Sequence, residues 1–238
     1  LDDSTSTEED TEVSISVLVN DSYITTAPIY ISSFTNGNNG SILQSESTQA
    51  LIYSPNQDFN GSDSFTYTIL QGDKSSTATV TVEISPVNDA PSIDIASTIQ
   101  TPENETIILT VPVNDVDEDD LTLSISGTDA DVFNLSSNQV LSFKNAPDYD
   151  TDRKSYGITF TLTDGEETVS KDVTINVTNV NDNSPTIDST SFSVDESCSA
   201  RDSNNCEDGS TIVGVISASD IDGDPVTFST TSSDFTIT

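Results

Sequence analysis

Apolar and polar residues alternate in short, strict runs along most of the chain. "VSISVLV" sets Val13, Ile15 and Val17 on one side, "FTYTI" sets Phe65, Tyr67 and Ile69, and "ATVTVEI" sets Ala78, Val80, Val82 and Ile84. The pattern returns as "LTLSIS" (Leu121, Leu123, Ile125), "YGITFTL" (Tyr156, Ile158, Phe160, Leu162) and "VTINVTNV" (Val173, Ile175, Val177). A period of two turns one face of each run to a core and the other to water, the signature of half-buried antiparallel strands. Ser, Thr, Asn, Asp and Gly fill the gaps with turn chemistry, and no stretch sustains a helical period. The prediction is an all-β chain of tandem seven-stranded sandwiches.

A repeat sets the boundaries. "SPVNDAPSID" (residues 85–94) and "TNVNDNSPTID" (178–188) place Asn88-Asp89 and Asn181-Asp182 93 residues apart, one small domain length. The expected organisation is a first domain over 1–89, a second over 90–184, and an incomplete start of a third over 185–238. That last piece, with 54 residues, opens on the same grammar, "FSVDES" and then "IVGVISASDIDGDPVTFS". Half a sandwich leaves strand edges unpaired, so it is expected to be less stable than its neighbours.

Composition narrows the function. Acids outnumber bases 41 to 6, for a net charge of −35. Nucleic acid and anionic membranes, which need basic patches, are excluded as partners. So much like charge opposes compaction unless cations neutralise it, and divalent cations are the simplest answer. Recurrent strand patterns argue against disorder, except over the first eight or so residues. No apolar run is long enough to span a membrane and no signal peptide is present, so a soluble segment without direct membrane insertion is expected. The missing initiator Met and the abrupt end in "SDFTIT" point to a piece of a longer chain.

The only cysteines, Cys198 and Cys206, lie in "ESCSARDSNNCEDGS" of a chain without His. A zinc site would need more soft ligands. A local disulfide fits better and implies an oxidising compartment, with two free thiols as the alternative. Without His, and with its thiols expected to pair, the chain offers no Ser-His or Cys-His nucleophile, and it is expected not to be an enzyme.

Acidic clusters recur near domain ends: Glu103 in "TPEN", "DVDEDD" from Asp115 to Asp120, "PDYDTD" around Asp148 and Asp150, and Asp164 in "TLTDG". Glu196, then Asp220, Asp222 and Asp224, repeat the theme, with Glu196 standing 93 residues after Glu103. A hard cation takes six to eight oxygens, which a sandwich can supply where its end meets the next domain. EF-hand loops are rejected: "DVDEDD" has Asp120 where Gly is required and Ser126 where the closing Glu belongs, and "DIDGDP" has Pro225 and Thr231 there.

Pro-Glu-Asn near a domain start, Asp-x-Asp, Asp-x-acid before a strand and x-x-Asn-Asp-Asn-x-Pro at the end resemble the motifs of cadherin repeats. The first domain, with "YSPNQDFNGSDSFTYTI" and "VNDAP", resembles the bacterial cadherin-like variant found in tandem in large surface adhesins. The resemblance implies Greek-key, immunoglobulin-like (cadherin-like) sandwiches with Ca2+ at the junctions. Carried over position by position, it implies Glu9 (or Glu8), Asp58, Asn60, Asn88, Asp89, Asp115, Asp117 and Asp164 as ligands at the first junction. At the second it implies Glu103, Asp148, Asp150, Asn181, Asp182, Asn183, Asp220 and Asp222. Asn60 stands where the family has an acid, and Pro86 and Asn179 stand where the linker normally begins with one, so fewer or weaker ions are expected. Tyr23 and Gln71 occupy the places of Asp117 and Asp164 in the first domain, so no full junction is expected at its amino-terminal end.

The expected function is a calcium-rigidified extracellular repeat segment of a secreted or cell-surface adhesin, acting as an extender or adhesion module. Its partners would be neighbouring repeats and a glycan or another surface protein. The alternative is a carbohydrate-binding module, which needs exposed aromatic platforms. The chain has no Trp and six Tyr. Tyr67 and Tyr156 face inward and Tyr149 lies beside a ligand pair, leaving Tyr23, Tyr30 and Tyr53. Asn60 and Asn104 stand in glycosylation sequons, but the bacterial character of the first repeat argues against their use.

Overall fold

The computed structural model describes residues 1–21, 27–46, 48–188, 215–231 and 237. Glu196, Cys198, Cys206 and Tyr23, singled out above, lie outside the described residues. The chain divides into two compact units. One comprises 1–91, 114–121 and 163–168, and the other 92–113, 122–162 and 169–238.

Among the described residues, seven strands build the first unit: β1 (Asp3–Glu8), β2 (Val13–Ile15), β3 (Ile29–Phe34), β4 (Gly40–Gln44), β5 (Leu51–Pro55), β6 (Gly61–Gln71) and β7 (Lys74–Ser85). They form a four-stranded sheet, ordered β1-β7-β6-β3, and a three-stranded sheet, ordered β2-β5-β4. The long β6–β7 hairpin closes at Gly72, whose φ of 59° suits the tight turn. Val80 and Val82 are fully buried beside Phe65 and Tyr67, in the phase set by the alternation.

β1 differs from expectation. "DSTSTE" offers no apolar residue and lies within the first eight or so residues, where disorder is the expectation. Instead, Asp3–Glu8 pairs in parallel with Val80–Ser85 through six successive positions. Its backbone donors and acceptors are met by the ladder, so its order does not depend on an apolar face.

A polar cluster lies inside this sandwich. Tyr53 is fully buried and donates to Asp63 Oδ2 at 2.8 Å. Asp63, only 5% exposed, also accepts the N–H groups of Asn38, Asn39 and Ser64. The close approach needs glycine: a Cβ on Gly37 would meet Asp63 Oδ2 at 2.1 Å, and one on Gly40 would meet the Tyr53 ring at 2.4 Å. Burial alone would raise the Asp63 pKa, but the four hydrogen bonds outweigh it and hold the carboxyl below its ordinary value. Burial, with the adjacent carboxylate, pushes the Tyr53 phenol up. Tyr53 is therefore an interior residue and cannot be a glycan platform.

The second unit contains β8 (Ser92–Ile93), β9 (Thr98–Pro102), β10 (Ile107–Thr110), β11 (Val113–Asn114), β12 (Thr122–Ser126), β13 (Phe133–Leu135), β14 (Val140–Phe143), β15 (Ser155–Thr163) and β16 (Thr168–Thr178). A four-stranded sheet is ordered β12-β15-β16-β9 and a three-stranded sheet β10-β14-β13, with β8 and β11 as a short extra ladder. Again the first long strand, β9, runs parallel to the last, β16. Phe160, Leu162, Ile175 and Leu141 are completely buried. Phe133, Phe143 and Tyr156 meet in tilted and edge-on contacts with centroids 4.7–5.8 Å apart. Arg153 grips Asp129 with two hydrogen bonds, of 2.7 and 2.9 Å, and lies over the Tyr156 ring. That grip, with the Gly157 N–H, holds the Asp129 carboxyl below its usual range. Beyond β16, β17 (Thr186–Ile187) pairs with β18 (Ala218–Ser219), which leads into Asp220–Asp224.

Candidate metal centres

The first centre lies wholly within the first unit. Glu9, at the end of β1, is 4% exposed and accepts the Val87 N–H at 2.5 Å, while Glu8 is exposed. Asp89 donates its N–H to Asp117 Oδ2 at 2.8 Å. Oxygens of Glu9, Asp89 and Asp117 lie within 4.8 Å of one another, as do those of Asp10, Asp58 and Asp89, and those of Asp115, Asp117 and Asp119. Asp115 Oδ1 accepts the N–H groups of Asp117 and Asp119 and so organises its loop. Asn88 donates to Asp164 Oδ2 at 3.0 Å, tying linker to loop. Asn60, two residues after Asp58, is exposed.

The electrostatics are unfavourable without a cation. Asp89 Oδ2 and Asp115 Oδ2 are buried and have no hydrogen-bond partner among the described residues, a costly state for carboxylate oxygens. Burial, then the charges of Asp58, Asp117, Asp10 and Glu9, raise the Asp89 pKa. Burial, then Asp115, Asp117, Asp164 and Asp120, raise that of Asp119. Asp164 is shifted the other way by the Asn88 amide and the Glu167 and Glu166 N–H groups. Crowded, dehydrated carboxylates with orphaned oxygens are the donor set a hard divalent cation satisfies.

The second centre lies within the second unit and gathers Glu103, Asp150, Asp182 and Asp222 within the same 4.8 Å span. Glu103, 2% exposed, accepts the N–H groups of Tyr149 and Val180. Asp222 Oδ2 receives the N–H groups of Asp182 and Asn183, and Asn183 donates to Asp150 at 2.8 Å. Burial, then Asp222, raises the Asp150 pKa, whereas N–H donors outweigh burial and lower that of Asp222. Asp148 and Asp220 are not in the acidic group; each caps a turn, toward the N–H of Asp150 and of Asp222 respectively. Asn181 contacts Asp224, and Asn179 donates to the Asp222 carbonyl at 2.9 Å.

Asp10 and Asp119 were not foreseen as members. Asp10 aligns with Asn104 of the second repeat, which donates to Asp182 at 2.5 Å. The first centre thus has an acid where the second has an amide, opposite the trade at Asn60.

A bacterial Ig domain family model matches residues 1–83 and again residues 88–178. The chain belongs to the bacterial Ig domain family. Its two bacterial Ig domains are tandem β-sandwiches, a type that is typically an extracellular, non-enzymatic structural module. No curated protein matches the chain at a significant level. Among solved structures, extracellular cadherin domains 3–6 of protocadherin gamma B2 are 21% identical over 81% of this chain and 49% of that one, with a TM-score of 0.48. Human protocadherin-24 EC1-2 is 26% identical over 45% of this chain and 52% of that one, with a TM-score of 0.40. Human mucin-like protocadherin EC1-2 is 16% identical over 74% and 96%, with a TM-score of 0.46. The chain spans about half the length of the protocadherin-24 and Drosophila N-cadherin structures. No helix among the described residues is long and apolar enough to cross a membrane.

Proposed function

We propose that this chain is a calcium-stiffened extracellular segment of a secreted or surface-bound adhesin, and that its repeats, parsed as 1–89, 90–184 and the start of a third from 185, hold adhesive modules at a fixed spacing. The observation that carries this reading is the orphaned, buried Asp89 Oδ2 among the carboxylates of Glu9, Asp10, Asp58 and Asp117. Calcium at the first centre would be held by Glu9, Asp58, Asp89, Asp115 and Asp117, with Asp10 and Asp119. At the second it would be held by Glu103, Asp150, Asp182 and Asp222, with Asp148, Asn181, Asn183 and Asp220 shaping the loops. The ion supplies the positive charge that cancels carboxylate repulsion. The protein supplies oxygens from the linker, the strand ends and the loops, so that binding fastens 86–91, 114–121 and 163–168 to the first sandwich.

Extracellular calcium modules bind with Kd of about 10⁻⁴–10⁻³ M. At free calcium ten to a hundred times Kd, each site adds about 1.4–2.7 kcal/mol by mass action, against a domain stability of about 5–15 kcal/mol. Thermal unfolding of the chelator-stripped chain should therefore shift upward and saturate with calcium, and shift less with magnesium, which demands a rigid octahedron. An unchanged melting temperature in calcium would sink the proposal. Of the candidates for a glycan platform, Tyr53 is interior, Tyr30 is exposed and Tyr23 lies outside the described residues, so that alternative rests on Tyr30.

A further inference from the structure

We propose that Asn60 is a site of spontaneous deamidation, and that the reaction installs a carboxylate beside the first metal centre. Three Asn-Gly pairs occur in the first unit: Asn36-Gly37, Asn39-Gly40 and Asn60-Gly61. Deamidation needs the glycine nitrogen to reach the asparagine side-chain carbonyl, which glycine permits because it has no Cβ to block the approach. The backbone must also be free to move.

The first two pairs are clamped. Asn36 Oδ1 holds the Ile42 N–H at 2.9 Å. Gly37 is wedged against Asp63 and Gly40 against the buried Tyr53 ring, while the N–H groups of Asn38 and Asn39 are tied to Asp63. The third pair is looser. Asn60 lies outside the ladder, and Gly61 enters it only as the first residue of β6, opposite Ile84. Both are exposed, and the space around Gly61 holds only the far edge of the Phe59 ring, at 3.7 Å from an added Cβ. Gly61 sits at a φ of 122°, in the region that glycine alone enters freely.

The chemistry is self-contained. The deprotonated Gly61 nitrogen attacks Asn60 Cγ, a new N–C bond forms, the Cγ–Nδ2 bond breaks, and ammonia leaves. Water then opens the cyclic imide at either carbonyl, giving an aspartyl or isoaspartyl residue at position 60. No oxidant or reductant is involved.

The position gives the reaction a consequence. Asp58, two residues earlier, contributes its carboxylate to the group with Asp10 and Asp89. In the second unit the motif Asp148-x-Asp150 fills the same place, and Asp150 joins Glu103, Asp182 and Asp222. Asn60 is the neutral counterpart of Asp150, and the aspartyl product of deamidation removes that difference. The modification itself is independent of the calcium reading; its effect on metal binding rests on it.

The test is to age the full chain in warm, mildly alkaline buffer, map its peptides by mass, and titrate fresh and aged protein with calcium alongside Asn60→Asp and Asn60→Gln. The expected result is amide-to-acid conversion at Asn60 well ahead of Asn36 and Asn39. Asn60→Asp should have a calcium midpoint several-fold lower than fresh wild type, with aged wild type moving toward it and aged Asn60→Gln staying put. Conversion at Asn60 no faster than at the clamped pairs would overturn the modification. Conversion without any change in midpoint would overturn its link to the metal. Absence of a calcium response in every sample would instead remove the calcium reading, with the peptide masses still judging the chemistry at Asn60.

Discussion

Asp63→Ala should destabilise the first unit by about 3 kcal/mol or more, with the denaturant midpoint falling and the slope unchanged. The substitution strands a fully buried Tyr53 hydroxyl and the N–H groups of Asn38, Asn39 and Ser64. Each buried donor left without a partner costs about 1–3 kcal/mol. Tyr53→Phe is the milder control, because it removes a donor and leaves Asp63 with three others, at about 1 kcal/mol. Equal small effects for both would mean that water satisfies the cluster. The pH dependence has a definite sign. The folded Asp63 carboxyl is held below the ordinary aspartate value of 3.8, so its contribution is present above that pH and lost as pH falls through the folded value. Asp63→Asn should flatten that part of the acid limb.

Asp89→Asn should change sign with calcium. In chelator the folded Asp89 carboxyl is raised above 3.8 by burial and by its acidic neighbours. Its ionised form therefore opposes folding at neutral pH, and the neutral amide should melt higher than wild type. With saturating calcium the same substitution removes a ligand and should forfeit up to about 1.4–2.7 kcal/mol of the binding contribution. Paired melts of the two proteins, with and without calcium, read this directly. A variant that melts below wild type in both buffers would show that Asp89 stabilises the fold by its hydrogen bonds, with no part in metal binding.

Much of the fold was legible because side-chain alternation reports one buried face. Val80, Val82, Phe160 and Ile175 all sit where the period of two puts them. Leu123 and Ile125 are only half-buried, because their strand β12 lies at a sheet edge, and so is Leu121 just before it. β1 was illegible because a parallel ladder satisfies its backbone whatever its side chains are. Asp63 left a signal that went unread: it shares the inward phase of Phe65, Tyr67 and Ile69, and an acid in that phase demands buried partners. Glu9, Asp58, Asp89, Asp115 and Asp117 came from motif register, and the geometry groups their carboxylates. Asp10 and Asp119 stand outside the motif positions, and only the fold brings their carboxylates beside those of Asp58 and Asp89 and of Asp115 and Asp117. Tyr53 stood among the candidate aromatic platforms, although Leu51 and Tyr53 share the buried face of β5.

The parallel pairing of first and last strands has a mechanical consequence. Asp3 lies beside Val80 and Glu8 beside Ser85, so tension applied where the chain enters β1 and leaves β7 runs along the ladder from opposite ends. All six pairs are loaded together in shear and do not open one by one. β9 and β16 repeat the arrangement from Thr98 to Pro102. Single-molecule pulling should give abrupt, high-force ruptures for each sandwich; a low plateau of sequential peeling would contradict it. Resistance of this kind comes from the direction in which two strands run.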